Sequence, residues 1–167
     1  MSSFIIREFV PERNPDELAR MLPAFIRIWN SPENLPFVSR TMCPCTQSHA
    51  RANLERHLER GVRFFAAENS AGEILAILMT RADHCTGFEF LNLGVQPEHK
   101  RQGIGRMLVK HTMHMAAQEG YLAVEGDVFA DDIPMLRLAL DLGFTPVRME
   151  YGARADGTAM VRMKRRL

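Results

Sequence analysis

Val95-Gln96-Pro97-Glu98-His99-Lys100-Arg101-Gln102-Gly103-Ile104-Gly105-Arg106 is the stretch on which the reading of this chain turns. An apolar run enters it and a helical pattern leaves it, so it joins a strand to a helix start. The first turn of such a helix carries unpaired N–H groups and the positive end of the helix dipole. Gly103 and Gly105 admit unusual φ/ψ values and keep Cβ atoms out of the way of an approaching anion, while Lys100, Arg101 and Arg106 add charge at the same point. Together these predict a nest for a phosphate or pyrophosphate. The plainer reading is a helix start with convenient glycines on a solvated loop.

Upstream, Phe4 to Phe9 reads as a strand, and Asn14-Pro15-Asp16-Glu17 supplies a cap, a first-turn proline and acids for a helix start. Leu18, Met21, Leu22, Phe25, Ile26 and Trp29 follow at helical spacing, and Pro23 predicts a kink or two short helices. Ser31 to Gln47 reads as an irregular loop, and Ser48 to Glu59 as a polar helix with Leu54 and Leu58 on its buried edge, stopped by Gly61. Val62 to Ala67 and Ile74 to Met79 form a hairpin about Asn69-Ser70-Ala71-Gly72, and Phe88 to Val95 is the next strand. Downstream come a helix at Ile104 to Glu119, a strand at Leu122 to Val128 and a short helix at Pro134 to Leu142. A hairpin of Thr145 to Tyr151 and Thr158 to Met163 turns about Asp156-Gly157, and the basic run Arg162-Met163-Lys164-Arg165-Arg166 reads as a solvated tail. Hairpins followed by β-α-β-α-β predict a mixed α/β (α+β) fold, a twisted mixed sheet covered by helices.

Composition bounds the partners. The chain has 167 residues, 46% of them hydrophobic, with 21 Lys+Arg against 20 Asp+Glu and a net charge of +1. One domain over residues 1–167 is expected, since roughly 150 residues already bury about 70% of the unfolded surface. Near-neutral charge argues against a nucleic-acid coat, and no stretch approaches the ~20 apolar residues of a membrane-spanning helix. The start has no signal-peptide pattern and three cysteines make a poor disulfide framework, so the expected compartment is the cytoplasm. Cys43-Pro44-Cys45 with His49 lacks the spacing and further ligands of a structural zinc site, and no metal is expected. A dinucleotide fingerprint needs a third glycine where Leu108 stands, although Glu125 lies at a workable distance for a ribose hydroxyl; a Walker loop fails for want of Gly-Lys-Ser/Thr.

The segment does not stand alone. Lys100-Arg101-Gln102-Gly103-Ile104-Gly105, with Phe90 to Val95 and Pro97 before it, resembles motif A of the GNAT superfamily of acyl-CoA-dependent N-acyltransferases. Tyr121 to Val128, Asp131-Asp132 and Leu142-Gly143-Phe144-Thr145-Pro146 are similar to its motif B, and the element order matches over essentially the whole chain. The resemblance implies a mostly antiparallel sheet of roughly six to seven strands with about four helices, and a splay between the strands at 88–95 and 122–128. It implies acetyl-CoA as cosubstrate, its pyrophosphate on Lys100, Arg101, Gln102, Gly103, Ile104, Gly105 and Arg106. Its pantetheine arm would pair with the backbone of Leu93, Gly94 and Val95, with Asp132 near the arm or capping the next helix. Gly94 is the sensible place for a bulge that starts the splay.

Acetyl transfer to an amine needs a neutral amine, an oxyanion donor and a proton for the thiolate. A backbone N–H around Leu93 to Val95 suits the oxyanion; Glu89 and Asn92 are the candidates for taking or orienting the amine's proton. Three residues apart on an unbroken strand, they face opposite sides unless a bulge intervenes. The family's usual tyrosine acid is replaced here by Ala139. An N-acetyltransferase acting on a small-molecule or peptide amine is the first reading. A coenzyme A-binding module with weak or no catalysis is the second, and a nucleotide-binding domain of another class the third. A homodimer is left open. Trp29, Phe37 and Arg40 are candidates to line the acceptor groove, with a core role for Trp29 the alternative.

Overall fold

Residues 4–10, 16–37, 47–83 and 87–167 are described by the computed structural model. In chain order the elements are β1 (Phe4–Phe9), α1 (Asp16–Trp29), α2 (Gln47–Glu59), β2 (Val62–Asn69), β3 (Ile74–Asp83), β4 (Gly87–Val95), α3 (Ile104–Gln118), β5 (Ala123–Phe129), α4 (Ile133–Asp141), β6 (Thr145–Glu150) and β7 (Met160–Arg166). Short 3-10 turns lie at Leu35–Phe37 and Pro97–His99. The strands form one 7-stranded sheet in the order β1-β2-β3-β4-β5-β7-β6. Every neighbouring pair is antiparallel except β4 with β5. The mixed, mostly antiparallel sheet with four helices is thus as expected.

Two apolar layers sandwich this sheet. On one face Phe65, Leu78, Phe88, Val124 and Val128 pack with Leu108 and Met113 of α3 and Ala139 of α4. On the other, Phe64, Ala66, Ile77 and Met79 pack with Met21, Phe25 and Ile28 of α1 and Leu54 of α2. Adjacent residues of β2 feed opposite layers, which is why that strand reads as an unbroken apolar run rather than an alternating one. Full burial of one such side chain is worth about 1.5–3 kcal/mol.

Three expectations are corrected. The kink at Pro23 does not form: α1 runs unbroken from Asp16 to Trp29. Pro23 and Ala19 both lie on the exposed face, where the carbonyl that loses its i+4 donor can turn to water, and burial of Met21, Leu22, Phe25 and Ile28 holds the helix on the sheet. The basic C-terminal run is no solvated tail, because β7 extends through Arg166 and Arg162 is ion-paired to Glu89, Glu125 and Asp127. The bulge in β4 sits at Leu91, between Thr80 paired with Phe90 and Met79 paired with Asn92. Gly94 has a different role. A Cβ there would lie 2.3 Å from Ile28 Cγ2 and 3.2 Å from Trp29 Cη2, so glycine lets the end of α1 rest on β4. The expected cap at Asn14-Pro15, the Cys43-Pro44-Cys45 pair and Arg40 lie outside the described residues.

Candidate active site

The loop leaving β4 makes one 3-10 turn at Pro97–His99, and Arg101 and Gly103 then adopt left-handed conformations, with φ of 60° and 81°. Arg101 has a Cβ and accepts this at some cost; Gly103 accepts it freely. Gly103 begins α3 with no side-chain cap. Helix geometry gives the amides of Ile104, Gly105 and Arg106 no intrahelical acceptor, so a first turn with three open donors faces out of the loop. This curl of backbone amides fits the phosphate chemistry expected of it. Its side-chain cations are less concentrated than the sequence suggests. Arg106 is bonded to Asp141 of α4 at 2.6 Å, Arg101 is exposed, and Gln102 reaches back to the carbonyl of Glu98 at 3.2 Å.

Beside this turn the sheet opens. β4 and β5 pair only over Phe88–Phe90 with Val124–Gly126, while β5 stays paired to β7 as far as Phe129. The splay therefore begins where the Leu91 bulge sits. Gln96 N–H donates to Leu75 O at 2.9 Å, which fixes the alternation along β3 and β4. Gly94 exchanges bonds with Ile77, whereas Leu93 and Val95 turn their N–H and C=O groups into the gap. Asn34 Nδ2 already donates to Val95 O at 3.1 Å. A Cβ on Gly105 would point toward Leu93 and Val95, at 3.4 and 3.6 Å, so the gap and the amide turn adjoin.

A cavity of about 360 Å³ fills the gap. Its walls come from both sheet faces, Val109, Ala139 and Phe144 on the α3 and α4 side, Trp29, Phe37 and Leu91 on the α1 side. Among its lining residues the ionisable groups are Asp127 and Asp132. Asp132 caps α4, accepting the Met135 N–H at 3.1 Å. Burial pushes its carboxyl above the usual range, with Asp131 adding to the rise and the Met135 N–H and Lys100 opposing it. Ala139 lines the cavity, Tyr121 packs edge-on against Phe88 instead, and Tyr151 is 82% exposed.

The Leu91 bulge puts Glu89 and Asn92 on the same, α1 face of the sheet, but they line different hollows. Asn92 lines the large cavity; Glu89 lies in an adjoining pocket of about 190 Å³ with Arg81, Glu125 and Arg162. Its carboxylate is bonded to Arg81 at 2.7 Å and to Arg162 at 2.9 Å. Arg162 also holds Asp127 at 2.8 Å, so it connects the Glu89 pocket to the cavity. Lys164, bonded at 2.7 Å, and then Arg162 hold Glu125 below the ordinary carboxylate range against the opposing effect of burial. Asp127, Asn34 and Arg162 are site residues that motif reading missed. The signal available for Asp127 was period 2 on β5, which sends Val124 and Val128 into the core and Asp127 to the other face. Among the described residues no group of three or more His, Cys, Asp or Glu side chains is placed to hold a metal ion.

The model of the acetyltransferase (GNAT) family matches residues 23–144. The chain belongs to that family. Within it, the [ribosomal protein bS18]-alanine N-acetyltransferase of Escherichia coli strain K12 is 30% identical over 101 residues, 59% of this chain and 66% of that protein. The aligned segment thus spans just under two thirds of that relative. Solved GNAT-like structures superpose along nearly the whole chain. The Escherichia coli ribosomal-protein-S18-alanine N-acetyltransferase does so with a TM-score of 0.73 at 18% identity, covering 98% of this chain and 94% of that one. Ard1 from Thermoplasma volcanium gives 0.72 at 19%, covering 98% and 97%. An N-acetyltransferase from Staphylococcus aureus Mu50 gives 0.71 at 17%, covering 99% of each. At such identities these structures bear on the fold alone.

Proposed function

We propose that the chain, acting as one domain over residues 1–167, transfers an acetyl group from acetyl-CoA to a primary amine by direct attack of the amine on the thioester. The observation that carries this reading is the adjacency of the amide turn at 101–106 to the gap between β4 and β5. Bound acetyl-CoA supplies the activated acyl group and a thiolate leaving group. In this reading the amides of Arg101 to Arg106, with Lys100, hold its pyrophosphate, and the gap-facing groups of Leu93 and Val95 pair with its arm. A backbone N–H among Leu93 to Val95 would donate to the carbonyl oxygen as it gains charge, as an oxyanion donor does. The amine nitrogen bonds to the carbonyl carbon, the C–S bond breaks, and the amine's proton passes through water held by Asn92 to the Asp127 carboxylate. Glu89 acts at one remove, through Arg162. The thiolate leaves without a tyrosine acid.

The acceptor is a small-molecule or peptide amine, no metal takes part, and the protein works in the cytoplasm with neither nucleic acid nor membrane as partner. Among the described residues no helix is long and apolar enough to cross a membrane. The exposed edge strand β6 is the surface available for a homodimer. Ala139, buried and apolar in the cavity wall, favours a second reading, a coenzyme A-binding module with slow chemistry. Thermal shift with acetyl-CoA, NAD and ATP tests the donor site. Acetyl-CoA at a hundred times its Kd stabilises by about 2.7 kcal/mol, and equal shifts with NAD or ATP would reject it. Thiol release over a panel of amines then separates enzyme from binding module.

A further inference from the structure

The cavity is lined from both faces of the sheet, which gives it two ends. The one beside α3 and α4 adjoins the amide turn; an amine that meets the thioester of a donor lying there enters from the α1 face. That face is built by residues far apart in sequence. Val124 and Val128 of β5 point into the α3 layer, so Asp127 and Phe129 point the other way, as Met160 does on β7 opposite Val161. Trp29, Phe37, Leu91, Phe129, Ala153 and Met160 give this end an apolar wall, and Asp127 is its carboxylate.

One residue outside the lining ties this wall together. Arg154, in the loop between β6 and β7, has a side chain only 17% exposed. Its guanidinium donates to both oxygens of Asp131, with Nη1 to Oδ1 at 3.2 Å. It also donates to Asp156 at 2.9 Å, to Thr158 Oγ1 at 2.9 Å and to the carbonyl of Pro36 at 3.1 Å. The same group stacks over Phe129, 5.0 Å from the ring centroid. Three chain segments are thereby fixed to one another: the turn bearing Phe37, the end of β5 bearing Phe129, and the loop bearing Ala153. A planar five-donor fork suits this task and an ammonium does not.

We infer, on the N-acetyltransferase reading above, that the acceptor is a primary amine carried on an apolar or aromatic body, and that Arg154 is the positioning residue that shapes its end of the cavity. The ammonium meets Asp127, and the apolar body lies between Phe37 and Phe129. An acceptor with a second charge would have to desolvate it against that wall, which is costly.

The test compares thiol release from acetyl-CoA with 2-phenylethylamine, the tripeptide Phe-Gly-Gly and putrescine. At least one of the first two is expected to exceed putrescine tenfold in kcat/KM, and which one does tells a free amine from a peptide N-terminus. Arg154→Gln and Phe37→Ala should each raise KM for the preferred amine fivefold or more. KM for acetyl-CoA should stay within twofold, with the acetyl-CoA thermal shift kept. Arg154→Lys, which keeps the charge without the fork, should not restore the amine KM. Phe37 is half-buried, so its variant carries the test if Arg154→Gln fails to fold. The inference is overturned if putrescine matches or exceeds both apolar amines, or if neither apolar amine turns over. It is also overturned if the amine KM of the folded variants is unchanged or moves in parallel with that for acetyl-CoA. A wild-type protein that acetyl-CoA does not stabilise overturns the underlying reading as well; a retained shift with turnover of putrescine alone overturns only this inference.

Discussion

The two ends of the cavity are made of different material. The end beside α3 is backbone, a run of amides whose direction is set by Arg101 and Gly103 in left-handed conformations and by a helix with no side-chain cap. The end beside α1 is side chain, with walls from α1, the Leu35–Phe37 turn, β5 and the β6–β7 loop. A backbone site is local and needs only glycines and a helix start in the right order. A side-chain site depends on long-range register, and its residues carry no spacing that a motif could hold. The first end can thus stay fixed while the second varies.

Gly105→Glu attacks the backbone end and should have the largest effect. A side chain at 105 points toward Leu93 and Val95, into the gap, and its carboxylate meets the anion at the same turn. Acetyl-CoA affinity should fall at least about a hundredfold, roughly the loss of one charged, well-placed contact and the space beside it. The check is disappearance of the acetyl-CoA thermal shift in a protein with unchanged circular dichroism. A retained shift would mean that the phosphates lie elsewhere.

At the side-chain end, Asp127 and Glu89 can be set against each other. Asp127 lines the cavity and Glu89 does not. Asp127→Asn should therefore lower kcat by about a hundredfold, within the range of a lost proton acceptor. Glu89→Gln should lower it by less than about tenfold, since Arg162 keeps its bonds to Asp127 and Glu125. The reverse order would return the base to Glu89. Rates should be compared at several pH values, because a lost base flattens the limb that it controls.

The two ends should also respond to acid with opposite signs. Glu125 sits in the Arg162 network with its carboxyl held low, chiefly by Lys164. Its contribution is complete above the unfolded value of about 4.3 and is lost as pH falls through the lower folded-state value. Asp132 is raised by burial, so when ionised it costs stability. That cost is relieved as pH falls through its raised folded-state value and is gone below the unfolded value of about 3.9. Lys164→Met should flatten the acid-side loss of Tm. Asp132→Asn should be more stable than the parent at neutral pH, an advantage that shrinks on acidification. Each effect should be under about 1 kcal/mol at these partly exposed sites.

How much could be read from the chain follows the same division. The amide turn and the element order were legible because strand and helix periods and a G-x-G at a helix start are local signals, whereas the splay came only with the family resemblance. Pro23 misled because whether a helix tolerates proline depends on which face it occupies, a tertiary fact. Glycine is the usual cue for a bulge and points to Gly94, yet that glycine serves the approach of Ile28 and Trp29 and the bulge falls at Leu91. Arg162 looked like a tail residue because nothing local says that a strand continues through charged side chains. Its partners Glu89 and Asp127 come from two other strands. Arg154 was invisible for the same reason: its contacts at Pro36 and Asp131 lie 118 and 23 residues away.

The smallest expected effect tests whether the backbone end also uses its side chains. Arg106 is paired with Asp141 at 2.6 Å, across side chains 40% and 59% exposed. An exposed pair of this kind is worth little to the fold, on the order of 0.5 kcal/mol. Asp141→Asn should therefore leave Tm nearly unchanged while freeing the Arg106 guanidinium for an anion at the helix start. If the guanidinium swings to the pyrophosphate, acetyl-CoA affinity should rise about two- to threefold, and the gain should fade at high salt as screening removes it. If the amides alone hold the phosphates, affinity should not change and its salt dependence should match that of the parent. Because stability and affinity are read on one protein, a gain in binding without a gain in Tm separates release of Arg106 from general tightening of the fold.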